Sequence, residues 1–200
     1  MNFRAYVVFF GLCTAATLSR AGLLNEISDN ERGLLASGQI VVKAEKVPGA
    51  PWPRLSLYQV VDAPPAILQT LFGDYAAAPT YTPNLMSAKV IATNPDGTKD
   101  VEYTVKVPIL MKTSYTVRNS YIRKGSSYTV GWKLLKSPFA KISEGSLSIE
   151  PYGADETLMR YTNLVVPKTN LVAGLKAQAL NEAKATVVAI KTEAERRARQ

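Results

Sequence analysis

The stretch DAPPAILQTLFGDYAAAPTYTPNL, residues 62–85, decides the reading of the chain. Its first half predicts a short helix. Asp62 or Ala63 can cap it, Pro64 and Pro65 suit a first helical turn, and Ile67, Leu68, Leu71 and Phe72 recur at helical spacing until Gly73 ends the run. From Phe72 onward one charge, Asp74, stands among Tyr75, Tyr81, three consecutive alanines and the prolines Pro79 and Pro83. Those prolines limit any second helix to about a turn, because each removes a backbone donor and clashes with the preceding turn. So apolar a loop either closes a core or walls a cavity.

Strand patterns surround this helix and loop. Upstream, QIVVKAEKV and RLSLYQVVD are separated by PGAPWP, whose prolines forbid one continuous strand. Downstream come LMSAKVIAT, KDVEYTVKV, KTSYTVRNSYI, SYTVGWKLL, KISEGSLSIE and TLMRYTNLVV. Turns are marked at Pro95-Asp96-Gly97, at Lys124-Gly125-Ser126 and from Tyr152 to Asp155. This is the rhythm of an antiparallel meander, and it predicts a sheet of about seven strands. Val101, Tyr103, Val105 and Val107 alternate with Asp100, Glu102, Thr104 and Lys106, and Tyr128, Val130, Trp132 and Leu134 alternate with polar or small residues. One face of the sheet is therefore dry and the other wet.

The last element is a long helix from near Thr169-Asn170 to about Arg197, with Val172, Leu175, Ala179, Ala183, Val187, Ile190 and Ala194 on one stripe. At 1.5 Å per residue it is roughly 40 Å long, the only element able to cover the dry face, so the sheet must curl around it. Alanines on the stripe leave room beneath it. The facing sheet offers Tyr103, Tyr115, Tyr121, Tyr128 and Trp132. Such rings either fill a core, each hydroxyl finding a backbone partner, or line a pocket for a hydrophobic ligand with a polar end.

Composition removes whole classes of chemistry. The chain has no histidine, and its one cysteine, Cys13, lies in an N-terminal export signal expected over residues 1–21. That signal has Arg4, an uncharged run of about a dozen residues, and small residues at Ser19 and Ala21; the run is short of the roughly 20 that span a bilayer. Imidazole bases, thiol nucleophiles and disulfides are thus excluded from the mature chain, and no metal or cofactor site is expected. Residues 22–38 read as a leader and 39–200 as one domain. The location expected is outside the cytoplasm, in a bacterial periplasm. The net charge of +8 is compatible with an anionic membrane surface. No basic stripe with interleaved aromatics points to nucleic acid.

The order LYQVVDAPPAILQTLFGDYAAAPTYTPNLMSAKVI resembles the opening of the START-like (SRPBCC) superfamily, whose helix-grip fold is shared by lipid-transfer START domains, coenzyme Q-binding proteins and polyketide cyclases. Val61, Ala63 and Pro64, then Leu71, Asp74 and Tyr75, then Pro83 match its opening motifs. GWKLLKS, EGSLSIEP and TLMRYTNLVVPKT resemble its later strands. The resemblance implies an α+β fold, a curved antiparallel sheet wrapped around the C-terminal helix, with a lipid, quinone or polyketide-like ligand between them. Its wall would be Tyr103, Val105, Tyr115, Val117, Tyr128, Val130 and Trp132 from the sheet and Leu175 and Ala179 from the helix. Phe72, Tyr75 and Tyr81 would line the mouth, and Arg160 would serve as a headgroup anchor. A binding or carrier protein is expected. The alternative is a cyclase- or dehydratase-like enzyme, with Arg118, Arg160, Tyr115 or Glu102 as the acid or base, although no carboxylate interrupts the apolar pattern as a catalytic one would.

Overall fold

The computed structural model describes residues 22–107, 111–168 and 176–200. The export signal expected over 1–21, and Val172 and Leu175 of the helix stripe, lie outside the described residues.

The helix opening the 62–85 stretch, α2, spans Pro65–Gly73, with Pro65 in its first turn and Leu68 and Leu71 buried. A single turn, α3, follows at Ala78–Tyr81. Strands β1 (Val41–Glu45) and β2 (Arg54–Val61) precede α2. After α3 come β3 (Leu85–Thr93), β4 (Lys99–Val107), β5 (Met111–Lys124), β6 (Ser127–Lys136), β7 (Ala140–Pro151) and β8 (Thr157–Pro167). The helix α4 occupies Lys176–Ala198. The strands form one eight-stranded sheet in the order β1-β2-β8-β7-β6-β5-β4-β3. The count is eight rather than seven, because β1 pairs fully with β2 from Val41↔Tyr58 to Glu45↔Arg54 despite the proline-rich turn between them.

Curvature has identifiable causes. Register shifts interrupt β3–β4, β5–β6 and β7–β8, and each such bulge bends its strand. Gly145 lies opposite both Trp132 and Asn163. A Cβ there would sit 2.1 Å from the Thr162 carbonyl oxygen and 2.4 Å from Trp132 Cζ2, so only glycine permits this approach.

The concave face holds the main core. Leu57, Val61, Leu147, Ile149 and Met159 of the sheet meet Leu68 and Leu71 of α2 and Ala183, Val187, Ile190 and Ala194 of α4. Lys191 Nζ donates to the Val60 carbonyl (3.1 Å) and Glu195 accepts the Asp62 N–H (3.0 Å), which fixes the C-terminal half of α4 against β2.

The leader, residues 22–38, packs on the convex face. It forms a 3-10 turn at Leu23–Glu26 and the helix α1 at Asp29–Ala36. Ser28 and Glu31 cap α1 reciprocally, Ser28 Oγ accepting the Glu31 N–H and Glu31 accepting the Ser28 N–H (2.8 Å). Leu23, Ile27 and Leu35 bury against Val41, Tyr58 and Leu158, each worth roughly 1.5–3 kcal/mol.

Candidate functional site

Between α4 and strands β3 to β8 the concave face encloses a cavity of about 460 Å³, inside the range usual for small-molecule sites. The 62–85 stretch supplies one long wall. Leu71, Phe72, Asp74, Tyr75, Ala78, Tyr81, Thr82, Pro83, Asn84 and Leu85 all line the cavity. Strand alternation supplies the opposite wall with Tyr103, Val105, Tyr115, Val117, Val130 and Trp132, and α4 contributes Ala179.

Phe72, Tyr75 and Tyr81 are half-buried wall rather than mouth. The exposed lining residues are Pro83, Asn84, Lys106 and Glu182, so the cavity opens where the loop meets β3, β4 ends and α4 begins. Asn84 adopts φ 60°, a left-handed conformation that asparagine tolerates, and its carbonyl accepts the Lys106 N–H (2.8 Å). The rim is thereby tied across the loop and β4.

Aromatic rings run along the inside in contact with one another. Tyr75 meets Tyr103 edge-on at 6.5 Å, Tyr103 stacks on Tyr115 at 5.6 Å, and Tyr115 meets Phe139 edge-on at 5.8 Å. Across the cavity Trp132 lies against Tyr161 at 5.4 Å. Away from the mouth, polar groups converge. The Asn119 amide, almost fully buried, donates to the hydroxyls of Tyr75 (2.8 Å) and Tyr103 (3.3 Å), and the Tyr75 and Tyr121 hydroxyls share a short hydrogen bond. Lys99 Nζ sits over the rings of Tyr75 and Tyr121, at 5.8 Å and 5.7 Å from their centroids.

Burial sets the protonation of this wall. Desolvation pushes the Tyr81 and Tyr115 hydroxyls up to about 12, and it raises those of Tyr103, Tyr121 and Tyr161 as well. These tyrosines are therefore neutral hydrogen-bonding groups, not bases, at ordinary pH. Asp74, the carboxylate in the loop, has a structural task. It accepts the Ala77 N–H (3.1 Å) and pairs with Arg197 (3.3 Å), which also holds Glu193 (2.8 Å). The loop is thus clamped to the end of α4. Among the described residues no cluster of acidic side chains could hold a metal ion.

Two residues expected in the site lie elsewhere, and Leu175 falls outside the described residues. Arg160 is on the convex face, where its guanidinium pairs with Glu26 (2.5 and 2.7 Å) and reaches Ser148 Oγ (3.4 Å), while the Tyr58 hydroxyl donates to Glu26 (2.6 Å). Tyr128 faces the concave side but packs on the core beyond the cavity's inner end, opposite Ile149. Arg118 makes a bidentate pair with Asp100 (2.7 and 2.8 Å) and is exposed. Sequence reasoning missed Trp52, Asn119, Phe139, Tyr161 and Asn163, which also line the cavity. Asn119 and Tyr161 had a signal, since Asn119 shares strand parity with Tyr115 and Val117, and Tyr161 with Met159. Trp52, in the turn between β1 and β2, had none; its indole Nε1 is buried with no partner among the described residues.

No family model matches the sequence, and no curated protein matches it. Solved structures do match. A STAR-related lipid transfer protein from Xanthomonas axonopodis superposes with a TM-score of 0.66 at 13% identity, covering 78% of this chain and 93% of that one. The Zhui aromatase/cyclase from a Streptomyces species gives 0.62 at 20% identity, over 72% and 94% of the two chains. Human StAR-related lipid transfer protein 5 gives 0.64 at 9% identity, over 82% and 84%. At these identities the likeness is one of fold, and it agrees with the strand order, the curled sheet and the gripped helix: the chain has the START-like helix-grip fold.

Proposed function

We propose that this protein binds and carries a hydrophobic molecule with an uncharged polar end, lodged between the sheet and α4. The observation that carries the reading is the aromatic-lined cavity with a neutral polar cluster, Asn119 with the Tyr75, Tyr103 and Tyr121 hydroxyls, at its inner end. An apolar body gains from leaving water, and a carbonyl or hydroxyl at its tip finds partners that cost no ion desolvation. A charged headgroup at that depth would find no ionised partner among the described lining residues, Asp74 being paired with Arg197 and the Lys99 ammonium lying outside the lining over the Tyr75 and Tyr121 rings. Lipid-transfer proteins and an aromatase/cyclase among the fold relatives support the ligand class. The N-terminal export signal supports a carrier that works outside the cytoplasm, cleaved after Ala21.

Native mass spectrometry of the protein from its own compartment, followed by solvent extraction, tests all three parts. The expected result is a chain beginning at Gly22 with a neutral lipid, quinone or polyketide-like molecule bound. A protein that is empty and also fails to take up the apolar fluorophore N-phenyl-1-naphthylamine would sink the reading.

A further inference from the structure

Opposite charges hold the leader to the convex face along most of its length. Glu26 pairs with Arg160 of β8, Glu31 pairs with Lys43 of β1 (2.9 Å), and Lys43 Nζ also donates to the Glu26 carbonyl. Where the leader begins, a carboxylate stands ready without a cation. Glu150 of β7 is half-buried; its Oε2 accepts the Leu23 N–H (2.8 Å) and its Oε1 accepts from Ser127 Oγ (3.1 Å). Both donors are neutral, and among the described residues no lysine or arginine forms an ion pair with Glu150. Neutral donors offset only part of the cost of withdrawing a carboxylate from water.

The residue beside that carboxylate is Gly22. Its φ of −75° is one that any residue adopts, so backbone conformation does not call for glycine here. Space does, because a Cβ on Gly22 would stand 2.8 Å from Glu150 Oε2. The bare Cα of Gly22 therefore lies against the carboxylate, and the Gly22 nitrogen is one bond, about 1.46 Å, from that Cα. Within a longer chain this nitrogen is a neutral amide. Cleavage after Ala21 would turn it into an α-ammonium, a full positive charge delivered beside Glu150. We infer that Glu150 is the receptor for the mature N-terminus: the Gly22 ammonium pairs with its carboxylate, and removal of the signal thereby fastens the leader to the sheet. The inference rests on the export part of the proposed function. It makes maturation a folding step as well as a cut, since Leu23 and Ile27 seat on the convex face next to the newly formed pair.

A thermodynamic cycle tests it, using protein that begins at Gly22 after removal of an initiator methionine. Urea unfolding is measured with the terminus free and with it acetylated, in the parent and in Glu150→Gln, whose amide keeps an acceptor for the Leu23 N–H but carries no charge. Acetylation is expected to raise the unfolding equilibrium constant of the parent about threefold to fivefold, the range of a partly exposed ion pair, and to leave Glu150→Gln unchanged. The parent's response should shrink in about 1 M salt, where the screening length falls to about 3 Å. Protein beginning at Ala21, whose charge lies one residue or about 3.8 Å further out, should behave as the acetylated parent does. No response to acetylation in the parent, or an equal response in both backgrounds, would overturn the pairing alone. A natural chain that begins elsewhere than at Gly22, read by mass spectrometry from its own compartment, would defeat the export reading and the fastening with it.

Discussion

Lys106 stands directly opposite Lys112 across β4 and β5, two ammonium groups on facing strand positions at the mouth of the cavity. Like charges so placed cost stability, of order 0.2–1 kcal/mol. Replacing one with the opposite charge should therefore help the fold. Lys112→Glu is expected to raise urea-unfolding stability by up to about 1 kcal/mol at low salt, a gain that high salt should erase. A variant that loses stability would mean the lysines are not close enough to repel.

Ala179 lines the cavity from α4. Ala179→Trp should fill that space and lower N-phenyl-1-naphthylamine affinity tenfold or more, with the thermal midpoint moved by only a few degrees because the bulk enters a void rather than a packed core. Fluorescence titration and a melting curve on the same sample check both halves.

Gly145 carries the indole of Trp132 on its bare Cα. Gly145→Ala has no room for its methyl, since a backbone oxygen and a ring atom both stand inside contact distance, and about 2–3 kcal/mol of stability should be lost as the ring or strand shifts. Trp132→Ala should cost about 3 kcal/mol and also weaken probe uptake, as it strips wall area and the partner of Tyr161. Denaturant unfolding of the two variants gives the comparison.

Arg160 and Glu26 belong to the outer face. Arg160→Met should cost about 1–3 kcal/mol, by leaving Glu26 without its cation, and leave probe uptake unchanged. Loss of uptake with retained stability would put Arg160 back in the ligand path.

Glu193 is held at about 2 chiefly by its hydrogen bonds to Arg196, with Arg197 adding to them. Its folded value is depressed, so the stability it contributes is present above the ordinary carboxylate value of about 4.5 and is lost as pH falls toward about 2. Unfolding measured across that window should show declining stability in the parent and a shallower decline in Glu193→Gln. The cavity tyrosines point the other way. With Tyr81 and Tyr115 raised to about 12, probe uptake should be flat from neutral pH to about 10, and phenolate absorbance from these rings should rise only beyond it.

Much of this architecture was legible because it rests on short-range pattern. Alternation placed Tyr103, Val105, Tyr115, Val117, Val130 and Trp132 on one face, and the proline spacing in 72–85 predicted a loop with at most about one helical turn, which is α3 at Ala78–Tyr81. Period alone does not encode depth along a strand, which is why Tyr128 fell on the correct face yet beyond the cavity. Arg160 was undecidable because both faces of LMRYTNLV are mixed. The outer face there is covered by Leu23 and Ile27 of the leader, so apolar residues are buried on both sides of β8. Trp52 sits in a turn without periodicity. The Lys106–Lys112 pair, finally, meets only once β4 and β5 pair across their hairpin.

The Asp74–Arg197 clamp closes the loop onto α4 at one end, and the exposed rim opens at the other. Asn119 pairs across from Lys99, and Lys106 at the rim lies seven residues further along β4, roughly 23 Å at 3.3 Å per residue. Occupancy then has a polarity. A molecule whose oxygen-bearing tip reaches Asn119 has gone in tip first and comes out tail first, so its hydrocarbon end is the last part to enter the protein and the first to leave it.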